Sequence, residues 1–74
     1  MARLIVASEV AGTVSKIERG EGEWVARDDP IIVVELMKME VPVPAPQDGT
    51  IVEVFVAEGD VIEEGQRVAL LEAD

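Results

Sequence analysis

Residues 11–35 read AGTVSKIERGEGEWVARDDPIIVVE, and residues 48–72 read DGTIVEVFVAEGDVIEEGQRVALLE. Shifted by 37 positions, the two stretches align without a gap. Gly12 falls on Gly49, Thr13 on Thr50, Glu21 on Glu58, Gly22 on Gly59 and Glu35 on Glu72. Apolar positions coincide as well: Val14 with Ile51, Ile17 with Val54, Val25 with Ile62, and Val33 with Leu70. Turn glycines and apolar positions that agree at one period mark an internal structural repeat. Units 1–37 and 38–74 fill the 74-residue chain as one small domain and meet at Lys38. Two equivalent units sharing one core imply a pseudo-two-fold axis.

Each unit reads as β-structure. Val occurs 13 times and Ile 6 times, and β-branching restricts χ1 in a way that suits a pleated sheet. Turn signals recur at short intervals, at Gly12, Gly20–Gly22, Asp28–Pro30, Gln47–Gly49, Glu58–Asp60 and Glu64–Gly65. Short runs between regular turns predict an all-β sandwich or barrel, with strands at 3–7, 12–18, 24–26, 31–36, 40–44, 50–56, 61–63 and 67–72. Val14 and Ile17 are an odd number of residues apart, as are Ile51 and Val54. A flat strand cannot bury both members of such a pair, so a bulge or sharp twist is expected at the same place in each unit. Gly22 and Gly59 are expected at positive φ. Asp28, which stands where the second unit has Gly65, is expected to tolerate the same left-handed turn. Pro42, Pro44 and Pro46 alternate after the junction. A proline donates nothing to a ladder, so this segment is either an edge strand or an extended connector. Trp24 and Phe55, the only aromatics, read as core or rim packing in preference to partner contacts.

Composition excludes whole classes of function. The chain contains no Cys and no His, which removes thiolate metal sites, disulfides and the usual general base at neutral pH. Serine occurs only at Ser8 and Ser15, and no nucleophile–base pair can be assembled around either. A chain of this size buries only about 60% of its unfolded surface, which leaves little depth for a carboxylate-based active site. The residues therefore argue against an enzyme. A formal net charge of −10 argues against nucleic acid and anionic membrane as partners. Residues 1–37 carry four basic and seven acidic side chains, and residues 38–74 carry two and nine. That excess reads as a solvated surface, with steering toward a basic partner as the sharper reading. No apolar run approaches the roughly 18 residues a membrane helix needs. No signal-peptide layout opens the chain, so a cytoplasmic location is the default expectation.

At the junction stands Glu35-Leu36-Met37-Lys38-Met39-Glu40-Val41. A lysine between two methionines, with strands on either side, can lie at a hairpin turn and project into solvent. Methionine is adaptable and suits recognition surfaces. The plainer reading of these residues alone is a surface lysine beside two core methionines. Met37-Lys38-Met39, preceded by Glu35 and followed by Pro42 and Gly49, resembles the attachment motif of biotinyl domains, usually Glu-Ala-Met-Lys-Met; Leu36 replaces the alanine. The Gly-Thr-Val/Ile and Glu-Gly-Asp/Glu elements resemble the same family, so the likeness runs along nearly the whole chain. The resemblance implies a flattened barrel of two four-stranded antiparallel sheets with quasi-two-fold symmetry. It also implies covalent biotin on Lys38, attached by a biotin protein ligase that reads Met37 and Met39. The biotin would then carry a carboxyl group between a biotin carboxylase and a carboxyltransferase.

Glu35 and Glu40 flank this tip. They read as solvated charge on strand ends, with a mark for the ligase as the alternative. Two other functions fit a barrel of this kind. One is a lipoyl carrier, whose lysine more often sits in Asp-Lys-Ala. The other is an unmodified barrel used for assembly, which needs no methionine on either side of the lysine.

Overall fold

The computed structural model of the chain describes residues 2–74. Among them are eight strands and no helix. The strands are β1 (Arg3–Ala7), β2 (Gly12–Ile17), β3 (Trp24–Val25), β4 (Pro30–Leu36), β5 (Met39–Pro44), β6 (Gly49–Val54), β7 (Val61–Ile62) and β8 (Arg67–Ala73). They form two four-stranded antiparallel sheets, ordered β1-β8-β6-β3 and β5-β4-β2-β7. A shift of 37 residues carries each strand of one sheet onto a strand of the other. The chain is a flattened barrel-sandwich with internal pseudo-two-fold symmetry, 37 × 17 × 17 Å in extent.

The core repeats with the same period. Val14 and Ile51, Val25 and Ile62, Ile31 and Val68, and Val34 and Leu71 are all buried. Val33 and Leu70, matched in the sequence, are instead half-buried on the outer faces. They precede Val34 and Leu71, which point inward, and side chains alternate along a strand. The only buried polar side chain among the described residues is Ser8. Its hydroxyl donates to the Val10 carbonyl at 2.6 Å and accepts from the Val10 N–H. The repeat partner of Ser8 is the buried Ala45, which needs no such partner.

The odd spacing of Val14 and Ile17 corresponds to a register shift between Val14 and Lys16, and an equivalent shift lies between Ile51 and Glu53. Past each bulge a carboxylate from the opposite unit accepts a backbone N–H. Glu58 Oε2 accepts from Ile17 at 3.1 Å, and Glu21 Oε2 accepts from Val54 at 3.4 Å. The matched glutamates of the sequence therefore stabilise the bend each strand needs to wrap one core. Gly22, Gly59 and Gly65 have φ of 86°, 95° and 84°, and Asp28 has 74°. Gly12 and Gly49 are required for space. A Cβ on either would collide with a backbone carbonyl, that of Glu35 or Glu72 respectively.

Trp24 and Phe55 lie on the surface, 54% and 43% exposed, so of the two packing positions expected for them the rim is the one observed and the core is not. Strand β3 has only two residues and lies at a sheet edge, so Trp24 has no strand to cover it. Its indole N–H donates to Asp74 Oδ2 at 3.0 Å.

Pro42 and Pro44 lie in a strand, β5, that forms a sheet edge, while Pro46 falls in the connector beyond it. The Ala45 N–H donates inward, to the Asp29 carbonyl at 2.8 Å. Alternation along the strand then turns residues 40, 42 and 44 toward the free edge. Pro42 and Pro44 occupy positions where an N–H would otherwise face outward unpaired, a device that blocks edge-to-edge pairing. The equivalent edge, β1, has Ile5 and Ala7 at these positions and keeps its donors.

Two outcomes follow from this geometry. Gly49→Ala is expected to cost about 1–3 kcal/mol through overpacking, read as a lower denaturant midpoint with an unchanged slope. Replacing Pro42 and Pro44 together by Val is expected to raise self-association, seen as a concentration-dependent increase in sedimentation coefficient. A coefficient identical to the parent's would show that the prolines do not guard this edge.

Candidate functional site

Strands β4 and β5 are joined by only two residues, Met37 and Lys38. Their φ angles are 52° and 66°. Positive φ at both central residues is the geometry of a type I′ turn, whose twist matches that of the flanking strands. Asn-Gly is the usual occupant. Here two side-chain-bearing residues adopt the left-handed region, at a cost of about 1–2 kcal/mol each. Such strain persists only where the surrounding structure imposes it. The six cross-strand partners of β4 and β5, ending in Leu36 opposite Met39, impose it here.

Every residue from Glu35 to Glu40 is exposed. Met37 is 87% exposed and Met39 68%, so neither belongs to the core. Lys38 makes no hydrogen bond or ion pair with any described residue. Its amine is thus held on a short rigid turn with no competing partner. Leu36, on the same face of β4 as the buried Val34, lies past the end of the core and is 37% exposed.

The 37-residue shift carries Leu36 and Met39 onto Ala73 and Ala2, where the Ala73 N–H donates to the Ala2 carbonyl at 2.9 Å. The β4–β5 turn and the meeting point of the chain ends are therefore equivalent places in the repeat. They occupy opposite poles of the long axis. Strand β1 starts beside Glu72, and the loop at its far end delivers Gly12 to the strand position next to Glu35.

Charge breaks the symmetry between these poles. Near the chain ends Arg3 faces Glu72, with Nε 3.2 Å from Oε1. At the tip the equivalent pair is Glu40 opposite Glu35. Like charges directly across a ladder destabilise it. The sequence alone did not reveal this pairing, because register was needed to bring the two glutamates together.

A groove of about 410 Å³ separates the two sheet edges, β1 and β5. Its ionisable lining consists of Glu9, Arg27 and Asp28, which do not form a nucleophile–base pair. Among the described residues no cluster of His, Cys, Asp and Glu could hold a metal ion, and no helix is long and apolar enough to cross a membrane.

Residues 7–71 match the biotin/lipoyl family model, described as biotin-requiring enzyme. The chain belongs to this family. It is 35% identical over 66 residues to the biotinylated protein TB7.3 homolog of Mycobacterium leprae, with 89% of this chain and 93% of that protein covered. It is 34% identical to pyruvate carboxylase of Staphylococcus aureus over 90% of this chain, but only 6% of that much longer protein. Among solved structures, the Kluyveromyces lactis urea carboxylase superimposes with a TM-score of 0.91 at 29% identity, covering 97% of this chain and 6% of that one. The family member described here thus matches a small protein almost end to end and large carboxylases over one short region.

Reversing the charge in Glu40→Arg recreates at the tip the pair seen between Arg3 and Glu72. It is expected to stabilise the fold by about 0.2–1 kcal/mol, with the gain shrinking as salt is added. Lys38→Gly removes a β-carbon from a left-handed position. Its thermal midpoint is expected to be no lower than the parent's; a drop of several degrees would show that this side chain supports the fold.

Proposed function

We propose that this chain is a biotin carrier domain, not a catalyst, that acts in the cytoplasm and takes biotin as an amide on the Nζ of Lys38. The observation that carries the reading is the turn itself. One unpartnered amine stands at the pole opposite the chain ends, on a strained two-residue hairpin flanked by exposed Met37 and Met39. The likeness to a biotinylated protein over nearly its whole length supports the same reading.

The chemistry asked of the chain is small. A biotin protein ligase supplies biotin with its carboxyl group activated as an acyl-adenylate. The Lys38 nitrogen attacks that carbonyl carbon, the amide bond forms, the adenylate leaves and the amine gives up a proton. The domain contributes position. A rigid turn presents the nucleophile in one orientation, while Met37 and Met39 offer the ligase adaptable apolar contact. Bound biotin supplies a carrier for a carboxyl group between a biotin carboxylase and a carboxyltransferase. The lysine stem then acts as a flexible tether that raises effective concentration at both sites. With Lys38 at one pole and the ends at the other, a flanking segment would hold the domain from behind and leave the tip free to enter an active site.

Lipoyl-bearing relatives also match, including a 2-oxoglutarate dehydrogenase succinyltransferase component of Schizosaccharomyces pombe at 38% identity. The methionines on both sides of Lys38 favour biotin over lipoate. Co-expression with a biotin protein ligase is expected to add the mass of one biotinyl group to the intact parent and none to Lys38→Arg. Co-expression with a lipoate ligase is expected to leave the mass unchanged. A lipoyl adduct would make the chain a lipoyl carrier, and no adduct from either ligase would make it an unmodified barrel. Biotin retained by Lys38→Arg would move the site to Lys16, the only other lysine.

A further inference from the structure

We propose that Met37 and Met39 form a peroxide-sensitive modification site that controls whether Lys38 can be acylated, an inference that rests on the carrier reading above. The chain has no cysteine and three methionines; Met1 lies outside the described residues. Met37 and Met39, 87% and 68% exposed, immediately flank the amine. No thiol competes for an oxidant, and these two thioethers are open to it. The buried core among the described residues contains no sulfur at all. Oxidation therefore falls on the tip and spares the packing, whereas a sulfoxide formed inside a core disrupts it.

The step needs a peroxide as oxidant. A sulfur lone pair attacks one peroxide oxygen, the O–O bond breaks and an S–O bond forms. Water leaves when the oxidant is hydrogen peroxide. Sulfur loses two electrons and the peroxide gains them. The product is a polar, chiral side chain where a flexible apolar one stood. From Glu35 to Glu40 the side chains are now two carboxylates, one amine, two thioethers and Leu36. After oxidation only Leu36 remains apolar. A ligase surface that buries the two thioethers would have to desolvate two S–O dipoles, which costs binding unless each finds a donor. Methionine sulfoxide reductases, one for each epimer, return the thioether, so the site can act as a reversible gate on loading.

The test uses the full unloaded chain. Hydrogen peroxide is expected to add one oxygen to each of Met37 and Met39, as read from fragment masses that exclude Met1, with no change in thermal midpoint. The initial rate of biotin attachment by a biotin protein ligase is expected to fall about tenfold, equivalent to ~1.4 kcal/mol. Treatment with both reductases is expected to restore it. A Met37→Leu/Met39→Leu variant, compared only with itself before and after peroxide, is expected to show no change in rate. An oxidised parent labelled at the untreated rate overturns this inference alone. So does a loss the reductases fail to reverse, or a leucine variant as sensitive as the parent. An untreated parent that accepts no biotin overturns the carrier reading and this inference with it.

Discussion

The structure depends on a reciprocal exchange of backbone hydrogen bonds between its two units. The Gly22 N–H donates to the Ile51 carbonyl at 2.8 Å, and the Gly59 N–H donates to the Val14 carbonyl at 2.8 Å. In return the Ile51 N–H reaches the Glu23 carbonyl, and the Val14 N–H reaches that of Asp60. Each unit thus completes the other's sheet, and neither 37-residue half can satisfy its backbone alone. A buried backbone group left unpaired costs free energy on the scale of a lost hydrogen bond. That requirement, together with a core to which both halves contribute, makes the fold a single cooperative object despite its small size.

Symmetry makes its exceptions informative. Of the two equivalent poles, one carries the chain ends and an Arg3–Glu72 ion pair, an ordinary stabilising arrangement. The other carries two residues in left-handed backbone, a like-charge pair in register, and two exposed methionines. Each of these works against stability or solubility. Their coincidence at one place, when the same fold solves the same problem conventionally at the other pole, marks the β4–β5 tip as shaped by something other than folding.

The two edges show the same division. β5, which leaves the tip, loses its outward donors at Pro42 and Pro44, while β1 retains them at Ile5 and Ala7. Removing the donors of β5 lowers the chance that it adds itself to a foreign sheet.

The sequence by itself determined the repeat, the all-β class, the paired bulges, the positive φ at Gly22, Gly59 and Asp28, and the placement of Lys38 between two strands. These are legible because each is a local or periodic constraint: glycine where φ must be positive, apolar residues at matched spacing, proline where a donor must be missing. Strand limits shifted by one or two residues, as between the expected 50–56 and the observed Gly49–Val54. Only the tertiary structure decided that Met37 and Lys38 share a type I′ turn, that Glu35 faces Glu40, and that Glu21 and Glu58 cross over to the other unit. It also decided that Trp24 lies on an edge instead of in the core. Each of these depends on register or on which strand lies next to which. The carboxylate crossovers and the exposed edge position of Trp24 arise between residues far apart in the chain, and the turn type and the Glu35–Glu40 pairing follow from the exact hairpin register, which composition and periodicity leave open.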